Sequence, residues 1–444
     1  MSELCGDTAI MGAFDISDAY LQVDQPTPKK IRIIDRPDAN YTIHRCLPGQ
    51  RDGARRWYDH FPSFVQTDLG CEICAEVPSL FKLPDDKGFL LAHVDDALFA
   101  IDEQYLNSVV KPILEARFRI SLQTASRSGG SFEFLKRVHE FEPNYESLEI
   151  SHESKHIKQV FQTFTRVNGK PPRLSKKPSA PHAFTYADEF ETLGDNQASV
   201  HRSLVGALLY FSHERPDIQC CAKSLSSSLK NPTVQAWHNL GRLIGYLKLH
   251  ENVSLGMSKG GCGTSLFGLL HGHVEAQGDI MIESFSDANW GGNRDSRSTS
   301  SAQHFVNGQL VHSSSRNQHC IALSSTESEY YSLVSCAIDT LYLKHILEFM
   351  FPSKNVVATV YVDNSACRQI ANKLGTGRLR HIQGKLLWIQ HMTKSGQIKI
   401  KAVGTTWNPA DLGTKTLSAD RHKMLGYMLT GWENSNISEQ PKPT

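Results

Sequence analysis

Four carboxylates toward the C-terminal end of the chain stand where secondary structure changes. Asp287 closes the apolar run Ile280 to Ser286, and Glu329 opens a stretch of helical spacing. Asp363 follows the β-branched run Asn355 to Val362, and Asp411 comes just after Asn408-Pro409. Acids at element ends can converge on one edge of a sheet, and four that do so repel one another enough to favour divalent cations. Two such ions roughly 3.5–4 Å apart can activate a water and stabilise the leaving oxygen of a phosphodiester. Each acid alone also has a plainer reading. Thr326-x-x-Glu329 fits a capping box, Asp411 suits a helix dipole, and Asp363-Asn364 fits a turn. Occurring jointly, in order and on suitable elements, they point to a cation site.

The elements that would position them follow from periodicity. Ile280 to Ser286 predicts a strand, and Phe305 to His312 a hairpin turning at Asn307-Gly308, a dipeptide that tolerates positive φ. Cys320 to Leu323 reads as a third strand. From Ser325 the spacing turns helical, with Tyr330, Leu333, Val334, Ala337, Leu341, Leu343, Ile346 and Leu347 on one face. Asn355 to Val362 predicts the next strand, Ser365 to Asn372 a short helix, and Ile398 to Val403 a fifth strand after a further helix. Asn408 and Pro409 read as N-cap and N1 of a last helix with Asp411 in its first turn.

A second group of acids lies near the N-terminus. Asp15 sits in the run Phe14 to Leu21, and Asp95-Asp96 interrupt the apolar hairpin Leu90 to Ala100. Burying those charges without cations would be expensive, whereas an exposed hairpin tip would carry them freely. Three carboxylates from two strands suit the two-metal arrangement that acts on a nucleoside triphosphate.

SFSDANWGG, ALSSTESEYYSL, VYVDNSA and WNPADLGTK resemble the ribonuclease H domain of copia-like retrotransposon polyproteins. The resemblance implies Asp287, Glu329, Asp363 and Asp411 as the metal-binding quartet, two Mg²⁺ per site with Mn²⁺ as the substitute, and the RNA strand of an RNA–DNA hybrid as substrate. It extends to the family's reverse transcriptase, where Asp15 matches the palm motif D-x-x-x-A-[YF] and Asp95-Asp96 its paired acids. Tyr20 falls where an aromatic residue stacks on the incoming sugar, and Asp52 where the family has a nucleotide-contacting glutamine. SFEFLKRVHEF, Ser131 to Phe141, resembles the strand that grips the primer, and HRSLVGALLYFSHERPDI the connection motif. Departures are Asp52, Gly53-Ala54 in place of Ala-Pro, and His93 in place of Tyr. Only fourteen residues precede Asp15, so the polymerase unit is expected to be truncated, without the fingers that hold the triphosphate.

A chain of 444 residues suggests about two to four domains. The expected class is α+β: a partial palm at 1–145, a thumb-like helix and Pro-rich linker at 146–195, a helical connection at 196–258, a ribonuclease H-like domain with a five-stranded mixed sheet at 259–432, and a disordered tail at 433–444. A net charge of +1 excludes a generally sticky polycation. Between Tyr361 and Thr405, however, Arg368, Lys373, Arg378, Arg380, Lys385, Lys394, Lys399 and Lys401 face one acid, Asp363. Such an excess suits a phosphate backbone, with Arg378, Arg380 and Lys385 the expected contacts. Cys71-x-x-Cys74 has no second pair to complete a zinc site. Neither a membrane-length apolar run nor a signal segment is present, so a cytoplasmic or nuclear protein is expected. Its partners would be an RNA–DNA hybrid or template-primer, with a homodimer or other retroelement proteins as further associations. The alternative is an inactive remnant that only binds nucleic acid or a partner.

Overall fold

The computed structural model describes residues 8–33, 35–152, 154–179, 191–258, 279–293, 295–373 and 387–431. They divide into two compact units, Met1–Glu146 with Phe349–Phe351 and Ser147–Glu348 with Pro352–Thr444. Arg378, Arg380, Lys385, the Gly-rich stretch 259–264 and the tail 433–444 lie outside the described residues. Among the described residues, no helix is long and apolar enough to cross a membrane.

In the first unit, β1 (Ala9–Ile16) is followed by a hairpin of β2 (Asp24–Ile33) and β3 (Arg36–Arg45), then helix α1 (Gly53–Asp68). The strands β4 (Glu72–Ile73), β5 (Leu80–Lys82), β6 (Gly88–His93) and β7 (Asp96–Asp102), helix α2 (Lys111–Arg117) and β8 (Ile120–Ala125) complete a sheet of order β4-β5-β6-β7-β1-β8. Trp57, Phe61, Phe64 and Val65 of α1 share a core with Phe81, Phe99 and Phe118, where Phe64 and Phe118 meet edge to face at 4.9 Å. Gly12 lets β1 run between its neighbours, because a Cβ there would lie 2.2 Å from Gln123 O. Ser131 to Phe141 is not one strand but a hairpin, β9 (Gly130–Phe134) and β10 (Arg137–Phe141). Leu135 and Lys136 turn it with φ of 50° and 61°, a tight turn whose sequence carries none of the usual Gly or Asn signals.

The second unit begins with the antiparallel pair β11 (Ser147–His152) and β12 (Leu255–Ser258). Between them run α3 (Ser154–Asn168), α4 (Asp195–Phe211), α5 (Gln219–Ser226) and α6 (Val234–Leu249). Leu204, Leu208, Leu240 and Ile244 pack with Phe164 and Trp237 in their core. The turn after α4 carries a buried ion pair, Arg215 to Asp217 at 2.9 and 2.7 Å. Burial opposes it, but the Arg215 guanidinium and the Tyr246 hydroxyl hold the Asp217 carboxyl below its ordinary range.

The larger sheet is built from β13 (Ile280–Asn289), β14 (Thr299–Val306), β15 (Gln309–Asn317), β16 (Val356–Val362) and β17 (Lys399–Ala402), in the order β15-β14-β13-β16-β17. β13 pairs antiparallel with β14 and parallel with β16, giving the expected five-stranded mixed sheet. Asn307 and Gly308 turn the hairpin with φ of 47° and 78°, as predicted. Helix α7 (Ser325–Met350), α8 (Ser365–Ala371) and α9 (Trp388–Lys394) fill the connections, and α10 (Ala419–Thr430) closes the order.

Two expected elements differ. Cys320 to Leu323 is not a strand, and the third strand is the second arm of the hairpin. Backbone groups of that segment are taken elsewhere: Ala322 O accepts from the Trp290 indole at 2.8 Å, and Leu323 N–H donates to Glu327 at 2.7 Å. Asn408-Pro409 starts a five-residue 3₁₀ turn, Pro409–Gly413, and not the last helix. Asn408 does cap it, accepting from Ala410 N. The final helix has its own cap, Ser418. His422 of α10 reaches back to Asp217 O at 2.9 Å.

Candidate metal centre

Asp287 lies at the end of the central strand β13, fully buried. Its carbonyl accepts from Ser332 Oγ of α7 at 2.7 Å, which pins that strand end to the helix. The capping box of α7 is Ser324-x-x-Glu327. Ser324 Oγ accepts from Glu327 N at 3.2 Å, and the Glu327 carboxylate accepts from Leu323 N. The box therefore lies two residues before the Thr326–Glu329 alternative, leaving Glu329 one half-turn further along to face β13. Asp363 follows β16, where Arg368 Nη1 donates to Val362 O and Asp363 O at 2.7 and 2.9 Å. Asn364 is no simple turn residue, since it caps α8 through Cys367 N. Asp411 is presented by the 3₁₀ turn, which Asn408 holds to β13 by donating to Ser286 O at 3.0 Å. Gly413 allows that turn to lie on β14, because a Cβ there would fall 2.1 Å from Ser301 Oγ.

Carboxylate oxygens of Asp287, Glu329 and Asp363 all lie within 4.8 Å of one another. Asp411 stands outside this trio and is joined to it by Lys415, whose Nζ is 2.7 Å from Asp411 and 3.4 Å from Asp287. Thr414 Oγ1 donates to Asp287 and Arg421 to Asp411. Burial pushes Asp287 up to about 7, with Asp411 and Asp363 adding to the rise against Lys415. Burial, then the Asp287 and Asp363 charges, push Glu329 up to about 9. Glu329 Oε2 is buried with no hydrogen-bond partner among the described residues. A buried cluster of hard oxygen donors, one of them unsatisfied, fits a divalent cation of the Mg²⁺ type.

Lys415, Thr414 and Arg421 were not singled out by sequence. Lys415 carried a signal, since it lies four residues after Asp411 on a turn. Arg421 carried none, being on another helix.

The N-terminal acids are arranged differently. Asp15 of β1 lies directly across from Asp96 of β7, while Asp95 occupies the turn after Val94, whose φ is 58°. That turn is held by Trp57 Nε1, which donates to Val94 O at 2.5 Å. Asp15 and Asp95 are exposed and Asp96 half-buried, so the costly burial inside the hairpin does not occur and the acids sit at its tip. Partial burial and then neighbouring acids raise Asp15 and Asp96 above the ordinary carboxylate range. The three are not among the acid groups tight enough to hold a cation in the described residues. Tyr20, in the turn Ala19–Gln22, packs on the core. Asp52 is neutralised where it stands: it accepts from Gln50 and from Arg56 Nε, each at 2.7 Å, and these bonds bring its carboxyl down to about 2.

No family model matches the chain. The retrovirus-related Pol polyprotein from transposon TNT 1-94 of Nicotiana tabacum is 26% identical over 431 residues, 92% of this chain and 30% of that protein. The retrovirus-related Pol polyprotein from transposon RE1 of Arabidopsis thaliana is 25% identical over 414 residues, 91% of this chain and 26% of that protein. The chain thus spans less than a third of the length of these relatives. Among solved structures, a foamy viral protease-reverse transcriptase in complex with RNA/DNA hybrid aligns with a TM-score of 0.46 and 10% identity, covering 98% of this chain and 46% of that one.

Proposed function

We propose that this chain, a homologue of the Pol polyproteins of copia-like retrotransposons, hydrolyses the RNA strand of RNA–DNA hybrids. The observation that carries the reading is the trio of buried Asp287 and Glu329 with half-buried Asp363, their oxygens within 4.8 Å, drawn from a central strand, a helix start and a parallel strand end. Two divalent cations, when bound, would activate the attacking water and neutralise the leaving 3′ oxygen, yielding a 5′-phosphate and a 3′-hydroxyl. Asp287, Glu329 and Asp363 would hold them, and Asp411 would complete the set from across Lys415. Lys415 and Thr414 orient the Asp287 carboxylate, and Lys415 with Arg421 orients that of Asp411. Exposed Lys394, Lys399 and Lys401 offer charge to the phosphate backbone.

The test is cleavage of a labelled RNA strand in a hybrid, with and without Mg²⁺, comparing the chain with Asp287→Asn. Cleavage is expected only with Mg²⁺ and falls at least about 10³-fold in the variant, a loss of roughly 4 kcal/mol of transition-state stabilisation. No cleavage from a folded chain would overturn the reading and leave the inactive remnant.

A second reading, RNA-directed DNA synthesis by Asp15, Asp95 and Asp96, draws support from the cross-strand placement of Asp15 opposite Asp96. Primer extension on the same sample is its test, and extension unaffected by Asp15→Asn would sink it.

A further inference from the structure

The turn leaving β13 carries Trp290, whose side chain is 53% exposed although its indole N–H is fixed to Ala322 O at 2.8 Å. The neighbouring residues of that acceptor are Ile321 and Leu323, 55% and 70% exposed. The backbone that carries these side chains is tied down on both sides. Leu323 N–H is tied to the Glu327 carboxylate of the capping box. On the other side, Gly291 N–H donates to Ser298 Oγ at 3.1 Å, and the Asn289 side-chain amide packs against Gly292. Lys223 of α5 braces the same turn through Asn293 Oδ1 and Thr299 Oγ1 at 3.2 and 2.6 Å. The indole thus clips together the two segments that lead from Asp287 and toward Glu329, and turns its free surface outward beside them.

Accepting the nuclease reading, we propose that Trp290 and Leu323 form a rigid apolar ledge at the rim of the acid cluster that seats the ribose edges of the hybrid's minor groove and selects the hybrid over duplex DNA by groove width. A wide, shallow minor groove of the A-like kind admits a flat indole against its sugars. The roughly 6 Å groove of B-form DNA does not. Phosphate contacts elsewhere hold either duplex alike and carry no such choice. Trp290 is on this view a positioning and specificity residue, not a catalytic one.

The experiment measures binding of a fluorescent hybrid and of duplex DNA of the same sequence by anisotropy in Ca²⁺, using the full chain and the variants Trp290→Ala, Trp290→Phe and Leu323→Ser. Trp290→Ala is expected to weaken hybrid binding about ten-fold, in line with loss of an aromatic contact to nucleic acid, and to leave duplex DNA binding unchanged. Trp290→Phe, which keeps a ring without the N–H, should stay within about two-fold of the parent. Leu323→Ser removes apolar surface at a position too exposed to disturb the fold and should cost the hybrid about three-fold. With Mg²⁺, the Trp290→Ala loss should fall mainly on KM. Equal weakening toward both duplexes, or a Phe variant as weak as the Ala variant, would overturn the ledge and reduce Trp290 to a structural clip. A chain that prefers the hybrid through Trp290 yet cleaves nothing would keep the ledge and remove the nuclease reading. Cleavage with no change in either affinity on Trp290→Ala would do the reverse.

Discussion

The two acid groups of this chain meet the same electrostatic problem in opposite ways. Asp287 and Glu329 are withdrawn from water beside Asp363, so burial first and neighbouring carboxylates second raise their carboxyls to about 7 and 9. Asp15, Asp95 and Asp96 stand on a strand end and a hairpin tip with more access to solvent, and burial raises Asp15 and Asp96 only in part. A cation entering the first group relieves a cost already present, and one entering the second must first draw the ligands together. The C-terminal group is therefore preorganised and the N-terminal group is not. Asp52, by contrast, is paired within the first unit by Arg56 and Gln50.

Thermal melts with added Mg²⁺ would sharpen this contrast most. At a hundredfold excess over its dissociation constant a ligand stabilises by about 2.7 kcal/mol, and that rise should vanish in Glu329→Gln while surviving in Asp96→Asn. Equal loss in both variants would break the comparison. A somewhat smaller effect is expected from Gly413→Ala, whose new methyl meets Ser301 Oγ and Cβ on β14. Overpacking there should cost about 2 kcal/mol in denaturant unfolding and reduce hybrid cleavage through Asp411, with no change in template-primer binding.

The smallest effect concerns pH. Burial raises Glu283 of β13 to about 7, against partial compensation from Tyr361 and Lys401. Its folded carboxyl holds its proton more tightly than the unfolded one. Its contribution is therefore complete below about pH 4.5 and lost as pH rises through about 7. Between those values Glu283 alone should lower metal-free stability by about 1 kcal/mol per pH unit at the steepest, on top of the loss from Asp287 and Glu329, and Glu283→Gln should reduce the slope by that amount. An unchanged slope would show that Glu283 is not held protonated by its burial.

Much of this arrangement was legible in the chain. The Asn307-Gly308 turn, the strands flanking Asp287 and Asp363, and the helical face after Ser325 all follow from local pattern, because one periodic surface decides each. What escaped depends on contacts distant in sequence or on competing local bonds. Cys320 to Leu323 has the composition of a strand, but the indole of Trp290 and the carboxylate of Glu327 claim its backbone. Thr326-x-x-Glu329 and Ser324-x-x-Glu327 are equivalent as patterns, and only the position of the helix start chooses between them. The Leu135-Lys136 turn could not be read because neither residue favours positive φ. Arg421 reaches Asp411 across a separate helix, a relation no spacing records.

The last helix has a consequence for how such a chain would decay. Its adjacent residues Arg421 and His422 hold, respectively, the Asp411 carboxylate and the carbonyl of Asp217 beside the buried Arg215 pair. A premature stop codon just before Ala419 would spare every acid discussed here. It would nevertheless unfasten one of the four proposed ligands and uncap the ion pair among the helices in a single stroke. Reading-frame lesions at this end should thus silence the protein as surely as a missense change at Asp287, while leaving all the recognisable motifs intact.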